Sequence, residues 1–270
     1  MTQHIQLENV ELEYLLSGED NSETLLFVHG LGANLSQFEA QQQALSKKFK
    51  VLSVNLRGHG NTKLLRVSNP SDFELSKMAN DIVEVLKKLD IKSVHYIGNS
   101  MGGNVGFELL KAHPHVLKTL TTFGTTGQLK TASFAFKLMR FMHKKMSPNF
   151  RGNLSKLAGQ TKAAKAKIKE MMTQVDRQTI LAILPVLSNF DYLDTIKQSK
   201  TPCMIIKGGK DKGINKTIGS TITTFEKRGN FKLIKMEKAG HFANLDNPEL
   251  FTQLISEYLS LIHISEPTRR

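Results

Sequence analysis

A serine stands between two glycines in Gly98-Asn99-Ser100-Met101-Gly102, with Gly103 directly behind. The residues before it, SVHYIG (93–98), form a short apolar run with the character of a buried strand. The residues after it, from Met101 to about His113, have helical spacing. A sharp strand-to-helix turn holds a serine in strained backbone and lifts its hydroxyl above the sheet. Side chains two positions either side would collide with the crossing chain, so glycine is needed there. G-x-S-x-G arises by chance in roughly one chain in ten of this length. Its place between a strand and a helix is what makes it specific; the competing reading is a glycine-rich packing turn.

The rest of the chain supports such a sheet. Ile5 to Leu16 alternates as two short strands joined near Glu8-Asn9. TLLFVHG (24–30), KVLSVNLRGHG (50–60), VLKTLTTFG (116–124), PCMIIKG (202–208) and FKLIKME (231–237) read as strands, most of them continuous apolar runs ending in glycine. Helical spacing lies between them, at 36–48 (opened by Ser36 as cap), 72–90, 101–113, 215–228 and 247–258. This alternation predicts an α/β fold: a doubly wound, mostly parallel eight-stranded sheet with an antiparallel leading hairpin. Residues 125–195 break the pattern with helical spacing and no convincing strand, and read as an inserted helical cap. The core is then 1–124 and 196–258.

Of 270 residues, 37 are Lys or Arg and 24 Asp or Glu, a formal charge of +13. A basic balance invites a nucleic-acid reading. Residues 124–195 alone carry +8, however, and no recognition motif accompanies them. The single Cys203 excludes an intrachain disulfide framework. No apolar run reaches membrane-spanning length and no secretory signal opens the chain, so the expectation is a soluble cytoplasmic protein. No cluster has metal-ligand spacing, and neither GxGxxG nor a P-loop occurs, so neither metal nor cofactor is expected. The last residues, LSLIHISEPTRR (259–270), resemble translated sequencing-adapter sequence and are set aside from fold reasoning.

An acyl-transfer serine needs a base, a group to orient that base, and an oxyanion hole. His241, in Lys238-Ala239-Gly240-His241-Phe242, follows a strand at its C-terminal end, the edge where open α/β sheets carry their sites. His4 and His95 lie in or beside strands, His113 and His115 flank Pro114 at a helix end, and His143 is in the basic insertion. Asp211 follows the strand 202–208 and precedes His241 in the order such chemistry uses. A plain turn acid is its other reading. Asp246 reads as the cap of the final helix, with Pro248 in its first turn. In His29-Gly30-Leu31-Gly32 the Leu31 N–H can pair with that of Met101 to hold an oxyanion. His29 reads as structural, His59 as a wall of the pocket, and Arg57 as locally paired.

Taken in order, HGLG, NLRGHG, GNSMGG, the Asp211 turn and AGHFANLDNPELF resemble the α/β-hydrolase superfamily, over residues 5–258. The likeness is to its small serine esterase and lactonase-like branch, with a helical cap after the sixth strand. That resemblance implies Ser100 as nucleophile, His241 as base and then acid, Asp211 as orienter, and Leu31 and Met101 as oxyanion donors. Serine at the elbow departs from the dehalogenase and epoxide-hydrolase branches, which carry aspartate there. GNSMGG also resembles hydrolases that cleave carbon–carbon bonds in ring-cleavage products.

The implied partner is a small-molecule acyl substrate, not a nucleic acid. Phe134, Leu138, Phe141 and Met142 share a helical face in the insertion. They read either as cap core or, with Gly30 and Phe242, as an adaptable apolar pocket. Two further readings stay open: a carbon–carbon hydrolase for diketone acids, and a hydrolase fold retained as a non-catalytic ligand-binding protein.

Overall fold

The computed structural model describes residues 1–65 and 69–265. β1 (Gln3–Gln6) and β2 (Val10–Ser17) form the leading antiparallel hairpin. β3 (Thr24–Val28), α1 (Glu39–Leu45), β4 (Lys50–Val54) and the two-residue β5 (Lys63–Leu64) follow. Then come α2 (Leu75–Lys88), β6 (Val94–Asn99), α3 (Met101–Ala112) and β7 (Leu117–Phe123). The insertion contributes β8 (Gln128–Lys130), α4 (Ser133–Lys145), α5 (Pro148–Ser155), α6 (Lys162–Gln174), α7 (Arg177–Ile183) and β9 (Asn189–Asp191). The chain returns through α8 (Leu193–Gln198), β10 (Cys203–Gly208), α9 (Lys212–Asn215) and α10 (Gly219–Arg228). It closes with β11 (Phe231–Met236), α11 (Ala243–Asp246) and α12 (Pro248–Ser265).

The main sheet runs β1-β2-β4-β3-β6-β7-β10-β11, eight strands, with β5 attached to the side of β2. From β4 through β11 every neighbouring pair is parallel. A parallel sheet must be covered on both faces. Ile82 of α2, Val105 of α3, Ile196 of α8 and Phe225 of α10 bury one face. Leu45 of α1 and Phe251 and Ile255 of α12 bury the other. Val28, Gly98 and Thr122 lie in register across β3, β6 and β7. The loops that leave these strands therefore open on one sheet edge.

The insertion differs from its sequence reading. β8 and β9 pair antiparallel, Gln128↔Asp191 through Lys130↔Asn189, where the alternation suggests only helix. Strands of three residues leave no periodicity to read. Two helix starts also differ. Asn34, not Ser36, caps the turn before α1, its side chain accepting the Ser36 N–H at 3.0 Å. The helix expected at 215–228 begins at Gly219 as α10, and the short α9 precedes it. Set-aside residues from Leu259 onward continue α12 as far as Ser265, and Leu259 is buried against the sheet; residues 266–270 lie outside the described residues. Among the described residues no helix is long and apolar enough to cross a membrane.

Candidate active site

The strand-to-helix turn places Ser100 at φ 51° and ψ −115°, a left-handed backbone that a serine adopts only under constraint. The constraint comes from both sides. Ser100 N–H donates to the Phe123 carbonyl at 2.9 Å, and the Ser100 carbonyl accepts the Asn104 N–H at 3.1 Å. The flanking glycines are needed for space. A Cβ at Gly98 would fall 2.5 Å from the Gly102 carbonyl oxygen, and one at Gly102 would fall 2.7 Å from that of His29. β6 thus passes into α3 with no room for a side chain on either flank.

Two loops bring the other groups to the same edge. Asp211 follows β10 and caps α9, its Oδ1 accepting the Ile214 N–H at 3.3 Å. Its Oδ2 lies 2.7 Å from His241 Nδ1, on the loop after β11. Asp211 is buried, which alone would raise its pKa. Its hydrogen bond and ionic attraction to His241, with backbone N–H groups of Ile214 and Gly213, outweigh burial and hold it below the usual carboxylate value. His241 is held over the end of β7: a Cβ at Gly124 would lie 3.1 Å from its Cε1. At Gly30, a Cβ would fall 3.2 Å from Ser100 Cβ, so the turn after β3 lies directly against the serine.

That turn is fixed by two buried histidines with rings 4.8 Å apart. His29 Nε2 accepts the Leu56 N–H at 3.0 Å, so its Nδ1–H donates to the Gly30 carbonyl at 2.8 Å. His59 Nε2 accepts the Gly32 N–H at 3.1 Å, and its Nδ1–H donates to the Arg57 carbonyl at 3.0 Å. Burial pushes the pKa of His29 well down and that of His59 to about 4, so both are neutral in these roles. Arg57 pairs locally: it forks onto both oxygens of buried Asp81 at 2.5 and 2.7 Å. In the turn itself the Gly32 and Ala33 N–H groups are taken up, by His59 and by the Gly30 carbonyl.

A sequence model of the alpha/beta hydrolase fold matches residues 23–169. The chain belongs to the α/β-hydrolase family. It is 21% identical over 257 residues to 3-oxoadipate enol-lactonase 1 of Acinetobacter baylyi, covering 93% of this chain and 94% of that one. Among solved structures it superposes on a thermophilic esterase from Thermogutta terrifontis with TM-score 0.83 at 20% identity, covering 97% and 99% of the two chains. It superposes on the enol-lactonase from Burkholderia xenovorans LB400 with TM-score 0.84 at 19% identity, covering 96% and 100%.

In this α/β-hydrolase the expected apolar pocket residues separate. Gly30 and Phe242 sit at the site; Phe242 is buried and its ring meets His241 edge-on, centroids 5.4 Å apart. Phe134, Leu138, Phe141 and Met142 instead face solvent on α4. The other face of α4 points inward, where Phe136 and Met139 pack with Leu31 and Met172 around Val175, Ile180 and Leu184. Both faces of this helix are apolar, so spacing alone does not say which turns in.

Sequence reading also missed two anchors. Asp246 is no helix cap; Asn247 fills that place, its Oδ1 accepting the Leu250 N–H at 3.0 Å. Asp246 Oδ2 accepts the Gly240 N–H at 2.7 Å and its Oδ1 the Gln160 N–H at 2.6 Å, tying the His241 loop to the insertion. Asn99 Nδ2 donates to the carbonyls of Phe123 and His241, while its Oδ1 accepts from Gln37 at 3.1 Å. Its position inside the glycine-flanked turn was the available signal. No group of three or more His, Cys, Asp or Glu placed to hold a metal occurs among the described residues.

Proposed function

We propose that this α/β-hydrolase is a serine hydrolase that cleaves a carboxylic ester, thioester or lactone through an acyl-enzyme on Ser100. The observation that carries the reading is the Asp211–His241 pair, 2.7 Å at Nδ1, on the sheet edge where the strained turn presents Ser100. With its Nδ1 proton held by Asp211, the imidazole keeps Nε2 free to accept a proton. Family membership and the esterase and lactonase relatives support the same chemistry.

Ser100 Oγ bonds to the substrate carbonyl carbon while its proton passes to His241 Nε2. The Leu31 and Met101 N–H groups hold the oxyanion. Collapse breaks the bond to the alkoxide or thiolate, which leaves with the proton from His241. Water then gives a proton to His241 and its oxygen to the acyl carbon, and a second collapse breaks the bond to Ser100 Oγ, which takes that proton back from His241 as the acid leaves.

A chain-length panel of p-nitrophenyl esters, with fluorophosphonate labelling, tests this. Turnover and labelling at Ser100, both lost in Ser100→Ala, are expected. Unlabelled protein, or turnover unchanged in the variant, would overturn the serine mechanism. Turnover of a dienone acid without ester turnover would move the reading to carbon–carbon hydrolysis.

A further inference from the structure

Twelve large apolar side chains are exposed among the described residues, and seven of them fall between Phe134 and Leu157. Four stand on α4: Phe134, Leu138, Phe141 and Met142, with Phe134 at 80% exposure. Spacings of four, three and one place them on one side of the helix. α4 already satisfies its packing with the opposite side, through Phe136 and Met139. Its second apolar face is therefore surplus to the fold. Phe150 and Leu154, one turn apart on α5, and Leu157 beyond it repeat the pattern. Exposed apolar residues concentrated in this way mark a binding surface.

The charge on the same elements indicates what binds. Lys137, Arg140, Lys144 and Lys145 are exposed on α4. From Ser133 to Lys169 the chain has ten Lys or Arg and no Asp or Glu. A nucleic acid would satisfy the cations and leave the phenylalanines in water. A second copy of this face would set cations against cations. A bilayer carrying anionic phospholipid satisfies both: aromatic side chains enter the headgroup boundary, and Lys and Arg meet the phosphates. At 13 residues α4 is about 20 Å long, suited to lying in the interface and too short to span it.

We propose that α4 is an interfacial anchor that docks this protein on membranes rich in anionic phospholipid. Leu157, exposed beyond α5, also lines the open pocket that contains Asp211 and His241. The anchor does not depend on the catalytic reading, so Ser100→Ala binds as the parent does.

Co-sedimentation with unilamellar vesicles tests the anchor, using phosphatidylcholine alone or with about one third phosphatidylglycerol. The parent is expected to partition at least about tenfold more strongly onto the anionic vesicles, and more weakly as salt rises. The double variant Phe134→Ser/Phe141→Ser loses about tenfold in partition, since two ring insertions are removed. Lys137→Glu/Lys144→Glu loses the preference for anionic lipid. Leu250→Ser, an exposed position on α12, partitions as the parent. All these positions are exposed, so circular dichroism and Tm stay at the parent's values. The anchor is overturned if the parent stays in the supernatant with anionic vesicles, or if Phe134→Ser/Phe141→Ser partitions unchanged. It is equally overturned if that variant's only effect is to abolish a dimer seen by sedimentation velocity.

Discussion

Asn99 Nδ2 donates to the main-chain carbonyl of His241 at 3.1 Å, so the residue before the candidate nucleophile also holds the loop of the candidate base. The same nitrogen serves the Phe123 carbonyl at 3.2 Å, and Phe123 in turn accepts the Ser100 N–H. Asn99→Ala takes the side-chain donor from the His241 carbonyl, while the Phe123 carbonyl keeps the Ser100 N–H and the Thr125 hydroxyl. A stability loss of about 1–3 kcal/mol is expected, together with a fall of more than about tenfold in kcat, since positional errors at such sites are costly. Chemical denaturation and ester kinetics measure the two. An unchanged kcat would separate Asn99 from the site.

Asp246 ties together the N–H groups of Gly240, Gln160 and Thr161. Asp246→Asn replaces one acceptor oxygen by an NH₂ group that faces an N–H. Hydrogen exchange is expected to accelerate at 158–161 and 240–241 while the sheet amides stay protected. Ester turnover falls with it, and Tm falls by only a few degrees. Protection unchanged at those amides would show that the bridge does not hold the loop.

Stability is expected to fall in mild acid because His29 and His59 are buried neutral. Their folded pKa values lie below the unfolded value of about 6.5, His59 at about 4. The unfolded chain therefore binds more protons between these limits, and stability drops as pH falls through that window. His59 alone accounts for roughly 3 kcal/mol by pH 4. Asp211 acts lower still: its depressed pKa gives a contribution present above the unfolded value of about 4 and lost as pH falls through the folded one. Urea midpoints from about pH 7.5 to 4.5 measure the slope, which is flat above about 7. A flat profile throughout would contradict the neutral assignments.

Cys203 is buried in β10, its thiol donating to the Thr201 carbonyl at 3.2 Å. Burial pushes its pKa up to about 11, so thiolate is scarce at neutral pH. A disulfide exchange reagent is expected to leave the native protein unmodified for hours and to react at once in denaturant. Rapid native labelling would show that β10 opens locally.

The sheet edge that carries the candidate site was legible because it rests on local requirements. Gly98 and Gly102 have no substitute where β6 meets α3, and Asp211 and His241 each follow a strand whose apolar run is unmistakable. What was not legible depends on distant partners. Asp246, two residues before Pro248, reads as a cap; only the approach of Gln160 makes it a bridge. Phe134 and Phe136 are equally apolar, and nothing in their spacing says that Leu31 waits on the side of Phe136. β8 and β9 are three residues each and gain identity only from one another.

The β8–β9 pairing has a consequence for exchange of parts. Residues 128–130 and 189–191 stand side by side, and Thr131 N–H adds a further bond to the Ser188 carbonyl at 2.9 Å. Paired strands set their Cα atoms about 5 Å apart. Everything between them thus leaves and rejoins the sheet domain through one narrow neck. A two-residue hairpin turn spans that gap, so any exchange of residues 132–187 has a single covalent junction, but it must also replace the Gln160 bond to Asp246 and the packing of Ile183 in the core.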